Sequence, residues 1–302
     1  MVELKAVARG LFPPRLWDLG SRIRHGIKPR RKIVHGVEML FPPRHPLPST
    51  VARFPRFDTL LPEFLHFLRD GLQQKLLVVD VGANIGDTAA LASAKIGVDA
   101  MRIICLEADE QYLPFLRANT ENLDAEIICA IIGSSSREEP AAVQRTSAGS
   151  GVIIASTQAA KVLALDDVLH GQTPDIIKID TDGYDLEVLR GARRCLQNTG
   201  PHLFIELSPY HLRLYGKEEP AAVFSFLRDV GYSATIIYDN TGYPICLLNL
   251  DSRELEMIVE YVDIKPRIYA DLLISKNNDL LARFYESDRK RFFPEKKSIS
   301  FG

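Results

Sequence analysis

No stretch of this 302-residue chain approaches the roughly 20 consecutive apolar residues that a membrane-spanning helix needs. Residues 1–20 carry no long apolar segment and include Pro13-Pro14, so no secretory leader is expected. Cysteine is scarce. Cys105, Cys129, Cys195 and Cys246 stand apart with no CxxC pair, each among apolar residues. That argues against disulfides and a zinc site, and predicts small buried hydrophobes in a reducing compartment. His25, His35, His45, His66, His170 and His202 share no metal-ligand spacing. No internal repeat or low-complexity tract is present. These absences predict a cytoplasmic globular protein, and the 46% apolar fraction suits a packed core.

The net charge of −2 hides an asymmetry. Residues 1–32 hold nine Lys/Arg and two Asp/Glu, and residues 276–302 hold seven and four, which leaves −12 for the middle. An acidic body with basic ends is not a nucleic-acid-binding pattern. The ends are expected to be solvated, or to make peripheral contact with anionic lipid or glycan. Three regions follow. Residues 1–52 read as a basic, proline-interrupted extension, with a short helix near Leu11–Ile23 and a strand element in Lys32–Phe41, packed on or covering the main domain. Residues 53–275 form that domain, and residues 276–302 a terminal helix, about Asn278–Phe293, with a basic tail. Within 53–70, Phe57, Leu60, Leu61, Phe64, Leu65 and Leu68 recur at helical spacing, and Gly71 is expected to close the helix.

From residue 76 the pattern alternates. Strands are predicted at Leu76–Val81, Arg102–Glu107, Ala125–Ile132, Asp175–Asp180 and Leu203–Leu207, and helices at Asp87–Ile96, Asp109–Asn122, Asp185–Gln197 and Pro220–Val230. Residues 134–150 read as a loop or irregular hairpin, Val162–Leu165 as a short strand, and Ser233–Tyr238 with Tyr243–Leu248 as a hairpin about Asp239-Asn240-Thr241-Gly242. Ala270–Ser275 is the last strand. Such alternation predicts an α/β fold, a doubly wound, mostly parallel sheet with a C-terminal antiparallel hairpin strand. Ligands in such sheets bind beyond the carboxyl ends of the strands.

The stretch Leu76–Thr88, LLVVDVGANIGDT, organises the rest. Its apolar run reads as a strand buried on both faces, ending near Asp80. Gly82 and Gly86 allow backbone N–H groups to approach a ligand, and Asp87-Thr88 open a helix whose first amides are unpaired. Glu107 ends the next strand, 25 positions after Gly82, where a carboxylate can accept two ribose hydroxyls. Asp109 follows as a plausible helix N-cap. Residues 175–192 read DIIKIDTDGYDLEVLRGA. Lys178 and Asp180 face one side of a strand by period two, and a lysine in a buried strand needs such a partner. Asp180 and Asp182 can share one side if the strand persists that far.

In order, Val79–Gly86, Glu107, Ala130–Gly133, Leu165–Asp167, Lys178–Gly183 and Glu206 resemble the motifs of the FkbM-type S-adenosylmethionine-dependent methyltransferases, a class I (Rossmann-like) family. The likeness spans roughly residues 76–210. One departure is DTDG where that family more often has DVEG, which shortens the second acid by a methylene. The resemblance implies S-adenosyl-L-methionine as cofactor, with Asp80, Gly82, Ala83, Asn84, Gly86, Glu107, Ala108 and Ala130 around it. It also implies O-methylation of a sugar or cell-surface polysaccharide precursor, a saccharide-type hydroxyl acceptor. Methyl transfer is an in-line displacement helped by alignment and a base. Asp180 or Asp182 is the favoured base, with Lys178 holding the other of the two in place, Glu206 bonding substrate and His211 as a further candidate. Tyr184, Tyr210 and Tyr215 could stack on a sugar face. An Asp/Asp/Glu cluster could hold Mg²⁺, but no metal is expected. Other acceptors, a small molecule or a protein, stay open. An NAD-dependent oxidoreductase lacks its three-glycine fingerprint here, and a non-catalytic glycan-binding module would need no cofactor.

Overall fold

The computed structural model describes residues 28–70, 74–147, 150–264 and 268–292. The expected helix near Leu11–Ile23, the closing Gly71 and most of both basic ends lie outside these residues. The chain opens with a hairpin, β1 (Arg30–Val34) and β2 (Val37–Phe41), then α1 (Leu47–Arg53) and α2 (Leu60–Arg69). The alternating part runs β3 (Leu76–Val81), α3 (Asp87–Ile96), β4 (Met101–Glu107), α4 (Leu113–Asn119), β5 (Ala125–Cys129) and β6 (Ile131–Ile132). A long hairpin follows, β7 (Arg137–Ser147) and β8 (Ser150–Leu163), then α5 (Leu165–Leu169), β9 (Ile176–Ile179), α6 (Asp185–Gly191), α7 (Arg193–Asn198) and β10 (His202–Leu207). The last part is α8 (Pro220–Asp229), β11 (Ala234–Asp239), β12 (Pro244–Asn249), α9 (Arg253–Asp263), β13 (Ala270–Ser275) and α10 (Asn278–Lys290).

The main sheet has eight strands in the order β12-β11-β13-β10-β9-β3-β4-β5. β10, β9, β3, β4 and β5 pair in parallel, while β13 is antiparallel to both β10 and β11. This is the doubly wound, mostly parallel sheet that the alternation predicts. Side-chain alternation splits the core in two. Val79, Val81, Ile177, Ile179, Leu203 and Ile205 pack on one face, and Leu76, Val78, Ile176, Phe204 and Leu273 on the other. Strands buried on both faces need helices on both sides, and the βαβ crossovers supply them.

Several expectations change. Of the loop or irregular hairpin expected at residues 134–150, the structure has the hairpin, longer than expected: β7 and β8 are arms of 11 and 14 residues with register shifts, and the short strand expected at Val162–Leu165 is the end of β8. Ile131-Ile132 leave the main sheet to pair with β8, so the strand expected at Ala125–Ile132 divides at Ala130. The helix expected from Asp109 starts at Leu113, where Pro114 fits a first turn, and Asp109 caps a tight turn by accepting from Gln111 N–H at 2.9 Å. The helix Asp185–Gln197 breaks at Ala192. Gly191 lies so close to the Gly133 carbonyl that a Cβ would sit 2.1 Å from its oxygen, and Asp166 caps α7 by accepting from Arg194 and Cys195 N–H at 2.9 and 2.8 Å. All four cysteines are free thiols, but only Cys105 and Cys195 are buried. Cys129 is exposed because β5 is an edge strand. Among the described residues no helix is long and apolar enough to cross a membrane.

The β1–β2 hairpin is fastened to the body. Val34, Met39 and Phe41 pack with Leu47, Ile85, Ala90, Leu91 and Tyr112. The Asn119 side chain accepts from Leu40 N–H at 2.7 Å and donates to the Leu40 and Ile85 carbonyls at 3.0 and 2.8 Å. One amide thus ties β2 to the loop after β3. Asn119→Ala leaves those backbone groups short of partners and should destabilise the protein by about 1–3 kcal/mol, measured as a lower midpoint in urea with unchanged slope.

Candidate active site

A cavity of about 620 Å³ opens at the carboxyl ends of β3, β4, β9 and β10, large enough for a nucleoside-sized ligand plus a second small molecule. The loop after β3 forms one wall. Gly82 has φ +85°, and a Cβ there would stand 1.9 Å from the Asp180 carbonyl oxygen, so only glycine lets the β3 and β9 ends approach this closely. Asn84 also takes positive φ, 48°, and turns its N–H onto Glu107 Oε2 at 2.7 Å. Glu107 Oε1 accepts from Asp109 N–H at 2.7 Å. Burial pushes the Glu107 carboxyl up to about 7 despite these two N–H groups. Each oxygen keeps a lone pair for an incoming donor.

Of the expected cofactor residues, Gly82, Asn84, Glu107, Ala108 and Ala130 line the cavity. Asp80, Ala83 and Gly86 do not. Asp80 is one residue short of the end of β3, wholly buried beneath the floor, 3.2 Å from Lys178 Nζ in an ion pair short of a directed hydrogen bond. Gly86, at φ +80°, is a packing glycine whose Cβ would meet Leu116 Cδ1 at 2.8 Å.

Lys178, Asp180, Asp182, Glu206 and His211 all line the cavity. Lys178 Nζ donates to Asp180 Oδ2 at 3.1 Å. Burial pulls its pKa down, but Asp180, Asp80 and Asp87 outweigh that and hold the ammonium charged. β9 ends at Ile179 and Asp182 has φ 51°, so Asp180 and Asp182 are not brought together by strand alternation as expected. A turn places them. Asp185 accepts from Thr181 N–H and Oγ1–H at 3.2 and 2.8 Å, folding the segment back over α6. Gly183, at φ +103°, abuts His211, where a Cβ would be 2.4 Å from the carbonyl oxygen. Asp182 Oδ1 therefore lies 3.5 Å from His211 Nδ1, and Asp182 Oδ2 accepts from Gly151 N–H at 3.1 Å. Burial, then the charge of Asp180, pushes the Asp182 carboxyl up to about 7, against the lowering by Gly151 N–H. Burial lowers His211, which keeps the ring neutral near pH 7. Tyr184 lines the cavity, whereas Tyr210 is exposed.

Sequence reasoning missed part of this wall. Glu206 and Asp271 are cross-strand neighbours on β10 and β13, and burial followed by Asp180 pushes Asp271 up to about 8. Asp271 interrupts an otherwise apolar strand, the same signal that marked Lys178. Asp58, His45 and Arg56 come from the segment before α2, where no periodic pattern points to them. His45 Nε2 is 3.3 Å from Asn84 Oδ1. Among the described residues no three His, Cys, Asp or Glu side chains gather as a metal-ligand set.

The FkbM methyltransferase domain model matches residues 80–234, just over half of the chain. The chain belongs to the FkbM methyltransferase family. S-adenosylmethionine is the cofactor expected of this family, and the cavity fits it: a glycine-bounded loop, a buried carboxylate with spare lone pairs at the ribose position, and room for an acceptor. The chain is 26% identical over 147 residues to the hexuronic acid methyltransferase AglP of Haloferax volcanii, a match covering 45% of this chain and 58% of that relative. The chain thus spans under two thirds of the curated relative's length. Similar solved structures include methyltransferase FkbM from Methylobacillus flagellatus KT, at 21% identity, covering 62% of this chain and 48% of that one, TM-score 0.42. Another is a SAM-dependent methyltransferase from Agrobacterium tumefaciens, at 11% identity, covering 83% and 71%, TM-score 0.44.

Ribose hydroxyls donating to Glu107 would favour its ionised form. Cofactor affinity should therefore weaken as pH falls below about 7, approaching ten-fold per pH unit, with protons released on binding. Calorimetry at pH 8 and pH 5.5 in buffers of differing ionisation enthalpy checks both.

Proposed function

We propose that this FkbM methyltransferase O-methylates a sugar hydroxyl, with Asp182 as the general base. The observation that carries the reading is Asp182 itself: a carboxyl that lines the cavity, poised near 7, and accepts from the Gly151 N–H. A base whose pKa matches the working pH combines availability with driving force. Bound S-adenosylmethionine supplies an electrophilic methyl group on a positively charged sulfur. Gly82, Asn84, Glu107, Ala108 and Ala130 hold and orient that cofactor. Asp182 takes the proton from the acceptor hydroxyl as its oxygen becomes nucleophilic. Asp180, paired with Lys178, stands beside Asp182, and its charge raises the Asp182 pKa, which makes the ionised Asp182 the stronger base. Glu206 and Asp271, side by side on neighbouring strands, accept from the other hydroxyls of the sugar and fix which one faces Asp182. Apolar residues such as Phe204 and Ile268 limit water around the reacting oxygen.

The wall also narrows the acceptor. Eight carboxyl side chains line the cavity, against two side chains with a permanent cationic group. Both cations are engaged: Lys178 by Asp80 and Asp180, and Arg56 by the Gly242 carbonyl and Asp288, with its guanidinium 4.2 Å from the Phe292 ring centre. A carboxylated sugar would add a further negative charge to this acid-lined, partly buried cleft with no unengaged cation to offset it. The name of the Haloferax relative specifies a hexuronic acid, and the charge of this cleft supports a neutral polyhydroxyl acceptor instead.

Asp182→Asn keeps the shape and removes the base. Turnover should fall by roughly 10²–10⁴-fold with cofactor affinity little changed; near-native turnover with the true acceptor would defeat the assignment. In the unaltered enzyme the base form exists above pH about 7, so kcat/KM for the acceptor should fall on the acid side of that value. A panel of simple glycosides offers a separate check. Neutral hexosides should give higher kcat/KM than the matching hexuronic acids, and a preference for the acids would show that the wall's charge does not select.

A further inference from the structure

The hairpin of β7 and β8 rises from a small apolar base, where Ile131, Ala141 and Val162 pack together. Its inner side contributes Val143, Gly151 and Ile153 to the cavity wall. Far from that base, Arg145 and Gly151 are directly opposed cross-strand partners. Each is tied to a different part of the site. The Arg145 guanidinium pairs with Asp109 and lies 4.1 Å from the ring centre of the buried Tyr112. Asp109 in turn donates its N–H to Glu107. Gly151 donates its own N–H to Asp182 at 3.1 Å. Close packing within the hairpin requires glycine there, because a Cβ would stand 2.9 Å from Val143 Cγ1. The connections run from the ribose-side acid, through Asp109 and one cross-strand pair, to the acid on the acceptor side.

We propose that the β7–β8 hairpin is a strap across the cleft and that Arg145, by fastening it at Asp109 and Tyr112, is a positioning residue for Asp182. The inference rests on the reading of Asp182 as base. The fastening is a single ion pair with a stacked arginine, and the Arg145 side chain is one third exposed. That suits a contact that can open to admit an acceptor and close again. With the strap down, Gly151 covers one face of Asp182 and keeps water away. Releasing it exchanges the Gly151 N–H for a water donor, a near-even exchange, and rehydrates the carboxyl. Burial is the largest cause of the raised Asp182 pKa, so release must bring that pKa down.

The test is the titration of Asp182 in the full chain, followed by ¹³C NMR of carboxyl-labelled aspartate and assigned with Asp182→Asn. In Arg145→Ala the midpoint should drop from about 7 by about one pH unit, a modest part of the several units full burial can impose. Exchange of the Gly151 amide should speed up about ten-fold as local opening becomes easier. Asp109→Asn removes the same anchor from the other side and must shift both readouts in the same direction, which keeps the test decisive if one variant folds poorly. Unchanged titration and exchange in the folded variants would overturn the strap. Neither readout needs turnover, so the base assignment fails separately: an Asp182→Asn enzyme that still turns over would remove the base and leave the strap standing.

Discussion

A buried ammonium group holds this site together. Lys178 lies in the middle of a parallel sheet, where a lone charge costs several kcal/mol. It is tolerable because Asp80 on β3 and Asp180 at the end of β9 stand 3.2 and 3.1 Å away. Asp80, wholly buried, would be costly in that position without the lysine. The pair across β3 and β9 therefore fixes the register of two strands at the point where their loops diverge, and it holds Asp180 at the mouth of the cleft. After burial, the charge of Asp180 is the largest cause that raises the Asp182 and Asp271 carboxyls.

Backbone contacts carry the rest of the geometry. Gly82 admits the Asp180 carbonyl, Gly183 admits His211, and Gly216 comes close enough to Gly183 that a Cβ would be 2.2 Å from its carbonyl oxygen. Three loops from β3, β9 and β10 touch through main-chain atoms, so the side chains they bear have little freedom to drift. Side-chain bonds within the turns reinforce this, as with Asp185 on Thr181 and Ser208 Oγ accepting from His211 N–H at 3.3 Å. Preorganisation of this kind removes reorientation cost at the moment of reaction.

Much of the sheet was legible because apolar runs at βα spacing have few other uses. The motif order from Val79 to Glu206 led to the family before any coordinates, and the polar residues in otherwise apolar strands marked the floor. What escaped had no local signature. Asp80 reads like a strand-end ligand, yet only the pairing of β3 with β9 reveals that it serves Lys178. Asp58 and His45 reach the cleft through tertiary packing. Residues 134–150 are rich in Ser, Arg and Glu, a composition that fits a loop as well as a hairpin and so hides the length of the β7–β8 arms. Cys129 looked buried from its neighbours, but an edge strand exposes what a central one hides.

The placement of β13 has a consequence for how the chain is made. This strand, residues 270–275, is wedged between β10 and β11, both of which leave the ribosome earlier. During synthesis β10 must wait with one edge unpaired, although the parallel half of the sheet is already complete. An unpaired, apolar edge of that kind is a template for joining another chain, and it persists until the late strand arrives. The β3, β4 and β9 side of the cleft can thus be in place while the wall still lacks Asp271 and the protein is at its most adhesive. Expression yield should therefore depend on translation speed after residue 207 more than on anything in the site itself.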